Sequence, residues 1–233
     1  MESKILKEVS YIGSDGDAVS VCEKIIRESA LKVMIDGEYY ATAMIMADME
    51  KEYVAGHLFA QGVINSVADI IAVEIENDVA RVQLRGDRKR QTISGNVRSC
   101  IVVSGRDVFN CVRAILKSPV FAETEAVHSA GLFLNGKEAI SIAQDIGRHN
   151  ALDKVVGDAM FKNIDFGRTL AASTGRQPTE MIIKCIKTGI PIIATKGVPT
   201  SAAVELAEKA GITIVGLVRA ETMTVYSHPE RIG

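Results

Sequence analysis

The chain has 233 residues, 47% of them hydrophobic, enough for one large domain or two small ones and too apolar for disorder to describe the whole. Its 27 basic and 29 acidic residues leave a net charge of −2, so no global attraction draws it to nucleic acid or to an anionic membrane. No apolar run approaches the ~18 residues of a membrane span. Met1–Ser10 lacks the apolar centre of a signal peptide, which makes a cytoplasmic location the expectation.

Residues 1–30 show no clear period and read as a loosely packed lead-in. Leu31–Asp36 and Glu38–Met46 flank Asp36-Gly37, a strong short hairpin signal. Glu50–Gln61 reads as a helix closed by Gly62, with His57 expected to pack rather than to ligate. Ile70–Glu76 and Val79–Leu84 flank Asn77-Asp78 and predict a second hairpin. Arg85–Cys100 then breaks the pattern with Arg85, Arg88, Lys89, Arg90 and Arg98. A charge run of this kind is usually a solvated loop, and a basic arm meeting an anion is the functional alternative. The four cysteines are Cys22, Cys100, Cys111 and Cys185; none forms a C-x-x-C pair or a metal-ligand spacing with histidine. Cys111 and Cys185 fall in apolar helical patterns and are expected in the core. Cys100, with Arg98 before it and Arg106 after, has the cationic surroundings of a reactive cysteine.

Asp107–Lys117 reads as a helix stopped by Ser118-Pro119. His128–Leu134 and Glu138–Ala143 flank Asn135-Gly136, a third hairpin signal; spacing does not decide whether His128 is a core or a site residue. From Ala139 the chain alternates strand and helix: strand Ala139–Ala143, helix Ala151–Phe161 with Asn150 as N-cap, strand Thr169–Ser173, helix Pro178–Lys187, strand Ile190–Thr195, helix Ser201–Ala210, strand Ile212–Val218, and an edge strand at Met223–Tyr226. Such strands predict a largely parallel sheet covered on both faces. Ligands of an open α/β sheet lie beyond the carboxyl ends of its strands. The loops leaving those ends carry Asp145, Arg148, His149, Arg176, Lys196 and Arg219, so an anionic, nucleotide-like guest is expected there. The spacing around Asp145–Asn150 equally admits a capped helix whose polar neighbours satisfy one another. No P-loop, G-x-G-x-x-G, H-E-x-x-H or G-x-S-x-G occurs, and His128-Ser129-Ala130 lacks the glutamate of a zinc deaminase, so no metal site is expected.

Several motifs in order carry a resemblance. They are Gly56–Gly62, Thr124–His128, Asp145-Ile-Gly-Arg-His-Asn-Ala-Leu-Asp-Lys-Val-Val-Gly157, Thr174-Gly-Arg176 with Glu180, Pro199–Glu208, Gly211–Arg219 and Val225-Tyr226. The chain resembles, over most of its length, the formate dehydrogenase accessory sulfurtransferases, the FdhD family. The resemblance implies a small N-terminal α+β unit (1–105) followed by a cytidine-deaminase-like three-layer α/β/α domain without zinc (106–233). It implies a site for the bis-molybdopterin guanine dinucleotide cofactor that includes Leu217, Val218, Arg219, Ala220, Glu221 and Thr222. It implies a cysteine desulfurase and the formate dehydrogenase apo-enzyme as partners, and a homodimer. The family carries sulfur on a C-x-x-C loop. Here Cys100 matches the first cysteine and Val103 stands where the second belongs; Glu125-Ala126 replaces paired glycines and Gln144 a usual glutamate.

Two functions follow. In one, Cys100 accepts a sulfane sulfur as a persulfide and delivers it to the cofactor. In the other, the protein binds and hands over the cofactor without sulfur chemistry, as would suit a Cys100 buried in a strand with Ile101-Val102-Val103. Thiol alkylation separates a buried Cys100 from an accessible one.

Overall fold

The computed structural model of the chain describes residues 3–86 and 95–233; Arg88, Lys89 and Arg90 of the expected basic arm lie outside the described residues. In chain order the elements are β1 (Lys4–Ile12), β2 (Ala18–Ile26), β3 (Glu28–Ile35), β4 (Glu38–Met46), α1 (Glu50–Ala60), β5 (Ile70–Glu76), β6 (Val79–Leu84), α2 (Gly105–Ile115), α3 (Pro119–Thr124), β7 (His128–Leu134), β8 (Glu138–Asp145), α4 (Arg148–Phe161), β9 (Thr169–Ser173), α5 (Thr179–Thr188), β10 (Ile192–Thr195), α6 (Ser201–Ala210), β11 (Thr213–Gly216) and β12 (Thr224–Ser227).

The first hairpin is a correction to the expected lead-in: β1 and β2 pair antiparallel as a separate two-stranded sheet, turning at Gly13–Gly16, where Gly16 takes a φ of +89°. Its strands are exposed on both faces, so the burial alternation that marks a strand is lacking. The other turn signals hold. Asp36 and Gly37, Asn77 and Asp78, and Asn135 and Gly136 all take positive φ between paired strands. A four-stranded sheet, β4-β3-β6-β5, packs against α1, whose C-terminal turn gives way to Gly62 at φ +69°.

The larger sheet has the order β12-β11-β10-β9-β7-β8. β9, β10 and β11 are mutually parallel as expected, whereas β7 runs antiparallel between β9 and β8, and β12 runs antiparallel at the edge. Two reversals restore the direction, so β8 still runs with β9. Alternate residues divide between the faces. Ala171, Ile193 and Ile214 join the core with α4, α5 and α6, while Leu170, Ala172, Ile192, Ala194 and Val215 meet α2 on the other side. This is a three-layer α/β/α arrangement, and it buries Cys111 and Cys185 in its two cores as expected. Burial raises both thiols to about 12, and Cys111 Sγ donates to the Gly136 carbonyl (3.1 Å).

The two sheets share one continuous core across the crossing of α1 and α4. A Cβ on Gly56 would strike the Asp153 carbonyl, and one on Gly157 would strike the Glu52 carbonyl, so only glycine permits this approach. Beside the crossing His57 stacks on Tyr53 (5.4 Å) and its Nδ1 lies 3.1 Å from Asp153, which also accepts two bonds from Lys184 Nζ (2.6 and 2.8 Å). His57 is thus a packing residue, as expected.

Several boundaries differ from expectation by a residue or more, and three of them have clear local reasons. Helix α4 begins at Arg148 with Gly147 as N-cap, because the Asn150 side chain is turned to Asp145 and Met44 instead of capping the helix. Ser118-Pro119 starts α3 rather than only stopping α2: Ser118 accepts the Phe121 N–H (3.0 Å) and Pro119 occupies the tolerated first turn. Pro178 is likewise the N-cap of α5, not its first helical residue. The boundary expected after residue 105 follows a segment that is already hydrogen-bonded to the C-terminal half of the chain. There Val97 N–H donates to Ala210 (2.7 Å), Ser99 Oγ to Gly167 (2.6 Å) and Val103 N–H to Arg231 (2.9 Å).

Candidate functional site

The carboxyl ends of β8, β9, β10 and β11, and the amino end of β7, meet at one edge of the large sheet. The loops there are short and locked together. Gly175 packs under the Arg148 side chain, where a Cβ would come within 2.7 Å of Cδ. Thr195 Oγ1 and Gln177 Nε2 both donate to the Gly175 carbonyl (2.6 and 3.1 Å), and Leu217 N–H donates to Gly197 O (2.8 Å). Leu217 takes a φ of +52°, a left-handed conformation disfavoured for a branched aliphatic residue and of the kind found at binding loops.

A cavity of about 490 Å³ opens at this edge, lined on the sheet side by His128, Ser129, Ile146, Thr174 and Lys196 and on the far side by α2, α3 and the loop after them. A smaller one of about 250 Å³ adjoins it and shares Lys196 and Leu116; Phe109, Val112, Arg113, Val218, Arg219 and Ala220 complete it. The His128 ring lies 3.3 Å from Thr174 Oγ1, which also accepts the Ser129 N–H (3.0 Å). Partial burial, and then the Arg148 charge, push His128 below its ordinary 6.5, which favours the neutral ring. His149 is lowered by burial first, then by Arg148 and Lys184, with Asp153 and Glu180 opposing. Two polar atoms in the first turn of α4, Arg148 Nε and His149 Nε2, are buried without a hydrogen-bond partner.

The expected residues therefore separate into groups. His128, Lys196, Val218, Arg219 and Ala220 line the joined cavities. Glu221 and Thr222 continue the exposed turn, which Arg219 N–H closes on the Thr222 carbonyl (2.9 Å), and Arg176 is exposed on its own loop. Arg148 and His149 are half-buried behind Gly175. Asp145 is the correction: it is fully buried and both its oxygens are engaged within the protein, so it does not face the cavity. Sequence reading missed the opposite wall, formed by Phe109, Arg113, Leu116 and Phe121. Phe109, Arg113 and Leu116 follow one another at helical spacing, a stripe that also fits ordinary core packing.

Cys100 lies elsewhere. It is exposed and lines a separate open cavity of about 560 Å³ with Arg98, Ser99, Ile101, Val102, Asn135, Asp165, Gly167 and Arg168. It is not in a strand, so the burial that would have suited the second function is not found; only Val103 pairs, as an isolated bridge to Ile232. Arg98 reaches this cavity as expected, while Arg106 lines a different one with Phe109 and Arg113. Arg168 immediately precedes β9 and Thr174 immediately follows it, so Cys100 and the cationic cavity stand at opposite edges of the sheet, separated by the strand's length of roughly 17 Å.

Residues 26–104 and 88–233 match the model of the FdhD/NarQ family. The sulfur carrier protein FdhD of Methanothermobacter thermautotrophicus is 29% identical, covering 98% of this chain and 99% of its own. The protein of the same name from Saccharolobus solfataricus is 34% identical, covering 94% and 92%. A crystal structure assigned as a formate dehydrogenase accessory protein of Desulfotalea psychrophila superposes with a TM-score of 0.87 at 27% identity, over all of both chains. With the signature residues, the sheet order and the full-length match in accord, the chain belongs to the FdhD/NarQ family.

Proposed function

We propose that this protein is a sulfur carrier for the maturation of formate dehydrogenase. The observation that carries the reading is the exposed Cys100 thiol in an open cavity beside Arg98 and Arg168. Its thiolate attacks the outer sulfur of a desulfurase cysteine persulfide; the S–S bond breaks, the desulfurase leaves as a thiolate, and Cys100 holds the sulfane sulfur. The substrate is the bis-molybdopterin guanine dinucleotide cofactor, whose phosphates suit Lys196, Arg219 and Arg113 at the far edge. Val103 occupies the position of a second cysteine and is buried at 1% exposure, so it offers no intramolecular thiol to close a disulfide on Cys100. Release of the sulfur as sulfide then uses outside thiols: one thiolate attacks Cys100 Sγ, the S–S bond breaks and hydrosulfide leaves, and a second thiol reduces the mixed disulfide left on Cys100.

A cysteine desulfurase and the formate dehydrogenase apo-enzyme are the partners of this reading, and its setting is the cytoplasm. A homodimer is supported by the β1–β2 hairpin, which leaves Leu6 (72% exposed) and Tyr11 (66%) uncovered, since an isolated two-stranded sheet is marginal in water. Among the described residues no helix is long and apolar enough to cross a membrane.

Intact mass measurement after incubation with a desulfurase and cysteine tests the proposal, with GDP binding measured by calorimetry in parallel. A gain of one sulfur that vanishes in Cys100→Ala, together with GDP binding in both proteins, is the expected result. No gain in a protein that still binds GDP overturns sulfur transfer and leaves the cofactor-handover role.

A further inference from the structure

Lys154 stands on α4, about one and two-thirds turns beyond Arg148, and is fully buried. Its Nζ lies 2.8 Å from Asp145 Oδ2 and donates to the Met46 and Gln144 carbonyls (3.1 and 3.2 Å), so the ammonium group is fully satisfied. Asp145 Oδ2 also accepts the Met46 N–H (3.1 Å), and Oδ1 accepts from the Gly147 N–H (3.0 Å) and from Asn150 Nδ2 (2.9 Å). Asn150 Nδ2 in turn donates to the Met44 carbonyl (2.8 Å).

One buried ion pair therefore joins the end of β4, the end of β8 and the start of α4. A buried pair is a costly way to hold a helix down, since apolar side chains of similar volume serve as well or better. What apolar side chains cannot do is fix backbone N–H groups. Here Gly147 and Asn150, the residues on either side of Arg148-His149, are tied to the same carboxylate oxygen. Between those two ties the Arg148 side chain lies across Gly175, close enough to His128 for its charge to act on that ring, with its Nε buried and unpartnered.

We propose that Asp145, Asn150 and Lys154 are positioning residues: they form a latch from β4 that presets Arg148 at the anion-binding edge, and none of them touches the ligand. This rests on the reading that nucleotide phosphates bind at that edge.

The test is a double-mutant cycle on GDP affinity. Asn150 is only half-buried, so Asn150→Ala, or Asn150→Ser if the first does not fold, keeps the protein intact. Asn150→Ala and Arg148→Ala each lower GDP affinity about tenfold, and the double variant loses no more than Arg148→Ala alone. Cys185→Ala, a core change outside the latch, lowers the melting temperature without changing affinity. Additive losses, or an equal loss in Cys185→Ala, overturn the latch. A second readout needs no ligand: the Arg148 Nε–H resonance exchanges slowly with water in the wild type and fast in Asn150→Ala. If the wild type binds no GDP, the nucleotide reading fails, and the exchange experiment alone decides the latch. Exchange unchanged by Asn150→Ala overturns it.

Discussion

The two edges of the large sheet are built in opposite ways. At the carboxyl edge the loops are short, cross-linked by Thr195, Gln177 and Gly197, and backed by a buried ion pair with 0% exposure on both partners. At the other edge Cys100 sits on a segment with no strand of its own, held by Ser99 on one side and by the Val103–Ile232 bridge on the other. The difference fits the two tasks proposed for them. Holding an anion needs charges fixed before the ligand arrives, so that no ordering cost is met on binding. Passing a sulfur atom between proteins needs an accessible thiol that approaches two partners in turn.

The sharpest way to break this comparison is to show that the edges are not independent. Cys100→Ala abolishes sulfur loading and leaves GDP affinity unchanged, whereas Arg219→Ala weakens GDP about fivefold and leaves loading unchanged, by mass and calorimetry respectively. Loss of both functions in either variant would contradict the division. Next in size is stability. Gly157→Ala inserts a methyl where the Glu52 carbonyl already lies and destabilises the protein by about 3 kcal/mol in urea unfolding. Gly175→Ala meets the Arg148 side chain at Cδ (2.7 Å) and Cβ (3.0 Å) and no backbone among its nearest atoms, costs about 1 kcal/mol, and shows itself mainly as weaker GDP binding because Arg148 must shift. A smaller effect is in pH. His128 and His149 are held below 6.5 in the folded protein, so the unfolded chain protonates first. The stability they contribute is present above pH 6.5 and is lost as the pH falls toward their folded values. An anion at the cavity favours the charged form of His128, so GDP affinity rises as the pH falls from 8 to 6, by about threefold, and His128→Asn flattens that profile. The smallest effect is on the second-cysteine position: the thiol of Val103→Cys alkylates more slowly than Cys100 under native conditions, because residue 103 is enclosed by Gly136 and the Ile232 pairing.

Much of this architecture is local and so was legible before folding. Asp36-Gly37, Asn77-Asp78 and Asn135-Gly136 turn where their backbone preferences demand, and Gly62, Gly189 and Gly211 end their helices at positive φ. The strand–helix rhythm after Ala139 placed Lys196 and Arg219 at one edge, since carboxyl ends of strands with a common direction must coincide. Other features were decided only by distant contacts. Asp145 and Asn150 have the spacing of an anion loop, yet Met44, Met46 and Lys154 claim them, and those partners lie up to 106 residues away for Asn150 and 99 for Asp145. The hairpin β1–β2 lacks a buried face, so no period could announce it. The exposure of Cys100 depended on whether Ile101 and Val102 would find a neighbouring strand. None forms at that position, and the thiol stays open to solvent because backbone pairing is a property of the assembled sheet and not of the residues that would enter it.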